Sequence, residues 1–171
     1  MQHVTHDAFG PLWAADSRVL ILGSIPSPQS RKYGFYYMHP QNRFWRVMAA
    51  LFGEPVPEGV ANRRDFAIRH HIALYDALVE CDIAGASDAS IRNPVAADLR
   101  PILHEACIQA IFCTGAASAT YFTKYCKPAL DADGLSIPMT RLPSTSPANA
   151  SWSLDRLVKA YRPVLDAALD I

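Results

Sequence analysis

The sequence predicts an α/β protein of three layers, α/β/α, in which helices cover both faces of a short parallel sheet. Three observations carry this: short apolar runs that end at or near glycine, helix-period stretches between them, and Pro/Gly-rich loops after two of the runs. Arg18-Val-Leu-Ile-Leu-Gly23 is the first run, and a strand apolar at successive positions is one covered on both faces. Ala110-Ile-Phe-Cys-Thr-Gly115 is a second of the same kind. Ile137-Pro-Met-Thr-Arg-Leu142 is a third, and Pro138, with no N–H to give a ladder, puts it at a strand start or a sheet edge. Ile72-Ala-Leu-Tyr75 supplies the fourth.

The helices lie between these runs. Residues 42–51 place Phe44, Val47, Met48 and Leu51 at three-and-four spacing. Residues 99–107 repeat that pattern, with Asp98 as the expected N-cap. A further helix is expected over 116–125. The last carries Leu154, Leu157, Val158, Tyr161, Leu165 and Leu169, with Ser151 or Ser153 as cap and Pro163 as a kink. His70 and His71 read as a helix end. No repeat or linker interrupts the chain, so one continuous domain over residues 1–171 is expected.

Composition excludes several classes. Sixteen basic and sixteen acidic residues cancel, half the chain is hydrophobic and 19% is charged, which excludes a disordered chain or a histone-like binder. Val19-Leu-Ile-Leu22 is too short to span a bilayer, and Met1-Gln-His-Val-Thr-His6 has no basic or apolar leader pattern, so a soluble cytoplasmic protein is expected. Cys81, Cys107, Cys113 and Cys126 are scattered and read as buried free thiols, not as metal or cluster ligands.

In a parallel sheet, ligands bind beyond the carboxyl ends of the strands, so loops 23–40 and 143–150 are expected to face one cleft. Residues 18–46 hold five Arg or Lys and no acid, and residues 134–154 hold Arg141 and no acid. Ten basic and sixteen acidic residues remain elsewhere, so the neutral total conceals a positive face. Basic groups interleaved with Tyr and Phe suit phosphates and unstacked bases; a solvated loop with some core aromatics has the same composition.

The order of residues is more specific. Gly23-x-x-Pro26, then Gly34-Phe35-x-Tyr37-x-His39-Pro40-x-Asn42-Arg43-Phe44-Trp45, resembles motif one of the uracil-DNA glycosylase superfamily, particularly its mismatch-specific branch. Leu142-Pro-Ser-Thr-Ser-Pro-Ala-Asn149 resembles the second motif, a Pro-Ser loop that inserts into the duplex. Ala73-Leu-Tyr-Asp-Ala-Leu78 and Ser90-Ile-Arg-Asn-Pro94 are similar to the hypoxanthine-DNA (deoxyinosine) glycosylase group, and the likeness runs from about Arg18 to Trp152. It implies a uracil-DNA glycosylase-like fold and a monofunctional glycosylase that hydrolyses deoxyinosine to hypoxanthine and an abasic site in base excision repair. It also implies double-stranded DNA with a flipped deaminated base as partner, met by a monomer without membrane or cofactor.

Two positions depart from the family pattern. Ile25 stands where other members carry an Asn or Asp that holds the attacking water, and Leu142 stands where many carry histidine. By resemblance, Asn42 takes over the water. Neither loop holds an acid, so the two-carboxylate route of glycosidases is not expected. The expected route is positional: Asn42 orients water toward C1′ while loop amides near Ser24 and Ile25 stabilise the leaving base. The motif match makes Tyr37 the ring on which the extruded base lies. Lys32 is the only lysine in the loop motifs, which argues against a Schiff-base step.

Several residues keep two readings. Asn42 could cap the following helix as well as act in catalysis. His39 is an acid/base candidate or a turn residue, and Asn93 is a base-edge reader or a turn before Pro94. Arg43, Arg46, Ser144, Thr145 and Ser146 are expected on DNA, Ser144 and Ser146 as phosphate contacts or else as ordinary turn residues, with 147–149, including Asn149, as the wedge. Phe44 and Trp45 are expected in the core. Asp76 is left between orienting a loop and meeting the base. Uracil removal from mismatches, non-catalytic damaged-DNA binding (which Ile25 keeps open) and mononucleotide binding remain as alternatives.

Overall fold

The computed structural model describes residues 1–169 and builds them around two sheets. Four parallel strands, β2 (Val19–Gly23), β3 (Ile72–Asp76), β6 (Ala110–Thr114) and β7 (Met139–Leu142), lie in the order β3-β2-β6-β7. Their side chains alternate between two cores. Val19, Ile21, Ile72, Leu74 and Phe112 enter one; Leu20, Leu22, Ala73, Ile111 and Cys113 enter the other. The four residues Val19 to Leu22 are fully buried, and each such aliphatic side chain contributes about 1.5–3 kcal/mol. That two-sided burial is why β2 reads as an unbroken apolar run.

Helices α2 (Phe44–Phe52), α3 (Gly59–Arg69), α7 (Leu154–Ala160) and α8 (Arg162–Leu169) supply the first core. Helices α4 (Arg100–Glu105), α5 (Ala116–Tyr121) and α6 (Lys127–Ala132) supply the second. Phe44 and Trp45 are buried, and β7 is an edge strand preceded by Pro138. Asp98 Oδ1 accepts the Arg100 N–H (3.1 Å), and Ser153 accepts the Arg156 N–H (3.2 Å) as the cap of α7.

Some expectations are corrected. The last helix is two helices broken at Tyr161, because Pro163 has no N–H for the carbonyl four residues back and its ring crowds that turn. The helix expected over 116–125 ends at Tyr121 and widens into a π turn over Phe122–Cys126, just before Pro128 raises the same conflict. Cys107 is exposed, since it lies past the end of α4; Cys81, Cys113 and Cys126 are buried. Burial pushes the Cys113 thiol up to about 12 and Cys126 to about 11.

A second sheet was not expected. β1 (Gln2–Thr5), β4 (Leu78–Ile83) and β5 (Arg92–Ala96) pair antiparallel in the order β1-β4-β5. The chain crosses from β3 to β4 at Ala77, whose N–H donates to Gly23 O while the Leu78 N–H donates to Ser24 O (2.8 and 3.0 Å). The carboxyl end of β3 is thereby fastened beside the start of the first loop. No helix among the described residues is long and apolar enough to cross a membrane.

Candidate active site

The two loops do converge. Beyond the carboxyl ends of β2, β3 and β6 lies a cavity of about 290 Å³, lined by Gly23, Ser24, Ile25, Tyr36, Tyr37, His39 and Asn42 from the first loop and its flanks. Ser144, Thr145, Ser146, Pro147 and Ala148 line it from the second. The first loop is not irregular throughout: Ser27 caps a short helix, α1 (Pro28–Tyr33), by accepting the Ser30 N–H (3.2 Å). The backbone then runs through Tyr37, held at φ +55°, a left-handed conformation unusual for a bulky side chain. What holds it is packing: the Tyr37 ring stacks on Phe44 at 3.9 Å between centroids, 14° from parallel. Its phenol, 3.4 Å from the Thr114 hydroxyl, is pushed well up by burial and by the nearby Asp76 charge.

Asn42 joins the loops. Its Oδ1 accepts the Phe44 N–H (2.9 Å), starting α2, and the Thr145 hydroxyl (2.9 Å), reaching the second loop. Both oxygen lone pairs are thus used, and the Nδ2 hydrogens are left for the cavity. Thr145 itself is buried. It positions Asn42, and the expectation of a DNA contact from its side chain is corrected.

Arg43 is corrected in the same way. Its guanidinium is turned inward and donates to Ser146 O and Asn149 O (3.0 Å each) and to Trp152 O. The Arg43 N–H donates to Thr145 O (3.1 Å). Ser146 O and Asn149 O also accept the Asn149 and Trp152 N–H groups (3.0 and 3.2 Å), so the guanidinium fork reinforces turns of this segment and supplies a donor to Trp152 O. Arg46 is exposed on the next turn, with its guanidinium near Gln41 O and Asn42 O at 3.2 and 3.4 Å.

The second loop is also tied internally. Ser144 Oγ accepts the Ser146 N–H (3.1 Å), Ser146 Oγ accepts the Ala148 N–H (3.2 Å), and Asn149 Nδ2 donates to Ser144 O (3.0 Å). A neighbouring open groove carries Arg141, Asn149 and Trp152 and shares Asp88, Ser144 and Ser146 with the cavity. Asn93 is not brought to the cavity. It sits exposed on β5, at φ +53°, donating to Asp82 Oδ2 (2.9 Å), because its segment belongs to the unexpected second sheet.

Ile25 faces the cavity from an apolar anchor, packed with Val4, Leu78, Ile83 and Ile91. The backbone N–H groups of Ser24 and Ile25 have no hydrogen-bond partner among the described residues. His39 Nδ1 accepts the Gln41 N–H (3.1 Å), a turn contact.

Neither loop holds an acid, yet two carboxylates reach the cavity from outside the loops. Asp88, from a 3-10 turn between β4 and β5, accepts the Ser24 hydroxyl (2.7 Å) at the cavity wall. The residue is exposed, yet desolvation around its carboxyl pushes the pKa up against the Ser24 hydrogen bond. Asp76, the last residue of β3, is buried on the floor. A Cβ at Gly23 would collide with Asp76 Oδ1 and lie 3.7 Å from the Tyr37 hydroxyl, so the glycine is what lets these groups share the floor. The sequence leaves Asp76 between orienting a loop and meeting the base, and nothing local marks Asp88 or its partner Ser24 as neighbours. Among the described residues no three His, Cys, Asp or Glu side chains gather as metal ligands.

Comparisons with known proteins bear on the family and fold of the chain. The chain is 33% identical over 86 residues to a hypoxanthine DNA glycosylase of Methanosarcina barkeri, half of this chain and 54% of that protein. The chain therefore spans about half the length of that curated relative. It is 27% identical over 142 residues to the hypoxanthine DNA glycosylase of Methanosarcina acetivorans, covering 82% of this chain and 86% of that one. A solution NMR structure of a provisionally assigned uracil DNA glycosylase from Methanosarcina acetivorans superposes with a TM-score of 0.73 at 24% identity, over 91% of this chain and 96% of that one, a likeness of fold. The model of the uracil DNA glycosylase superfamily matches residues 11–166. With nearly the whole chain matched, the protein belongs to the uracil DNA glycosylase superfamily.

Proposed function

We propose that the chain is a monofunctional glycosylase that removes hypoxanthine from deoxyinosine in double-stranded DNA, acting as a monomer of one domain in base excision repair. The observation that carries the reading is the pairing of Asn42 with Thr145 across a small cavity floored by Tyr37 and Asp76. Two relatives are named hypoxanthine DNA glycosylases, and that naming supports the substrate. A purine leaving an N-glycosidic bond departs from a sugar with oxocarbenium character. Water attack on so electron-poor a centre needs position more than a strong base. Asn42 Nδ2 donates to the water oxygen and holds it toward C1′ as the N-glycosidic bond breaks; the free Ser24 and Ile25 amides receive charge on the departing base, which takes up the water's proton and leaves neutral.

Recognition in this reading is shared between Tyr37 and Asp76. The base lies along the Tyr37 ring, and Asp76 Oδ1 accepts the lactam N–H. Flipping costs a few kcal/mol, least for a mispaired base such as hypoxanthine. Arg46 and Arg141 meet phosphates, Ser144 and Ser146 hold the strand at the rim, and Pro147 and Ala148 fill the vacated stack. Incubating the protein with duplexes holding one deoxyinosine, deoxyuridine or deoxyxanthosine and counting abasic sites tests the substrate. Release from deoxyinosine is expected to be fastest, and excision of uracil alone would overturn the hypoxanthine assignment while leaving a glycosylase.

A further inference from the structure

A buried pair outside both loop motifs includes Asp76 of the cavity floor. β1 keeps its pairing one residue past Thr5, the His6 N–H donating to Val79 O (2.8 Å), and this brings the imidazole to the end of β3. There His6 Nε2 lies 2.7 Å from Asp76 Oδ2 and Nδ1 lies 2.8 Å from Phe9 O, with the two side chains only 3% and 7% exposed. The rings of Phe9 and Tyr75 wall the imidazole at 4.7 and 4.8 Å.

Hydrogen-bond chemistry restricts what this pair can be. A carbonyl only accepts, so Nδ1 carries a proton. Nε2 then either donates to the carboxylate as an imidazolium or accepts from a protonated Oδ2. In both forms one proton sits between Nε2 and Oδ2, and in both Oδ1 is left as an acceptor. Losing that proton sets a nitrogen lone pair against a carboxylate oxygen in a dry site. Burial alone would push the imidazole pKa down; the Asp76 hydrogen bond and charge, with the Phe9 carbonyl, outweigh it and the result is upward. The other titratable groups around the pair are the Tyr36, Tyr37 and Tyr75 phenols, all pushed up by burial, with Asp88 across the cavity and Arg64 beyond Tyr36.

We infer that His6 is a positioning residue for base recognition: it locks Asp76 through Oδ2, so that Oδ1 stands as a fixed acceptor for the ring N–H that a deaminated base carries and its parent lacks. This rests on the cavity being the base pocket of a glycosylase. Hypoxanthine presents N1–H where adenine presents a bare nitrogen, and uracil presents N3–H where cytosine does. Oδ1 makes no hydrogen bond among the described residues and lies against Gly23 on the cavity floor. Opposite a bare ring nitrogen it would be buried and unpaired, the situation in which sites reject an analogue by about 10⁴-fold. His6 is what prevents Asp76 from turning away or moving its proton to Oδ1.

The test is single-turnover excision by wild type, His6→Gln and His6→Ala, with melting temperatures alongside. The duplexes hold one deoxyinosine, one deoxyuridine or one 1-methyl-deoxyinosine, which lacks the N–H. For wild type, deoxyinosine should be removed far faster than its methylated analogue, and that ratio should fall as pH rises through the His6 titration. In His6→Ala the ratio should collapse by about tenfold or more through loss of the deoxyinosine rate. His6→Gln, whose amide can still donate to Oδ2, should recover part of the ratio and lose the pH dependence. A pH dependence of the ratio in His6→Gln equal to that of wild type would also overturn the assignment. Equal losses on all substrates, or a wild-type ratio indifferent to pH, would overturn the assignment; the second readout needs no variant to fold. Wild-type excision of deoxyuridine alone would overturn the hypoxanthine substrate while His6 is read on uracil. Absence of any excision would overturn the glycosylase reading itself, and this inference with it.

Discussion

The Asn42 carboxamide oxygen accepts the Phe44 N–H and the Thr145 hydroxyl at the same distance, 2.9 Å, so one side chain starts a helix and ties the two cavity loops together. Arg43 is the N-cap residue of α2, so Asn42 acts one residue earlier through a side-chain turn to Phe44; that turn fixes the amide and leaves only Nδ2 for a water. Thr145→Val keeps the shape and removes the donor. Excision should fall by about tenfold, with DNA affinity unchanged, in a gel-shift assay run beside the kinetics. Equal activity would show that the link between the loops is dispensable.

Arg43 and Arg46 separate a brace from a phosphate contact. Arg43→Ala strips donors from three carbonyls of the second loop, and charged hydrogen bonds of this kind are worth about 1.5–3 kcal/mol each. A clear drop in melting temperature is expected. Arg46→Ala should leave the melting temperature alone and lower the slope of log affinity against log salt by about one. The reverse pattern would mean that Arg43 turns outward on DNA.

Gly23→Ala tests the crowding on the floor. The added Cβ must displace the Asp76 carboxylate, which His6 holds from behind. A shift of about 1 Å in a recognition group costs on the order of a hundredfold in rate. Excision should fall by that order in single-turnover assays, and an unaffected rate would mean that Asp76 is not part of the pocket.

His6 also makes stability depend on pH. Its folded pKa is raised above the ordinary 6.5, so its contribution is complete below about 6.5 and is lost as pH rises through the raised value. Melting temperatures of wild type should decline on the alkaline side of that window more than those of His6→Gln. Parallel curves would place the titrating group elsewhere.

What was legible follows from physics that is local. The β2 and β6 runs are visible because both faces of each strand are buried, and the loop motifs because residue order is itself the signal. β1 and β5 are short outer strands with exposed residues and, in β5, Pro94, so they leave no apolar run to read. α1 hides in a loop, although Ser27-Pro28 is a cap followed by a first-turn proline, a readable signature. α3 buries only Phe66 and Ala67, too few to mark a face. The pairs that build the site are not local at all: His6 meets Asp76 across 70 residues, and Asn42 meets Thr145 across 103. An inward Arg43 cannot be told from an outward one by composition. Only the tertiary path decides.

The most direct measurement is chromatographic detection of the free base released from a duplex with a single deoxyinosine, comparing wild type with Asn42→Ala at saturating enzyme. Wild type should liberate hypoxanthine stoichiometrically. Asn42→Ala should bind the duplex as tightly and release the base at least about a hundredfold more slowly. Undiminished release by the variant, or tight binding by wild type with no free base at any time, would contradict catalysis at this residue.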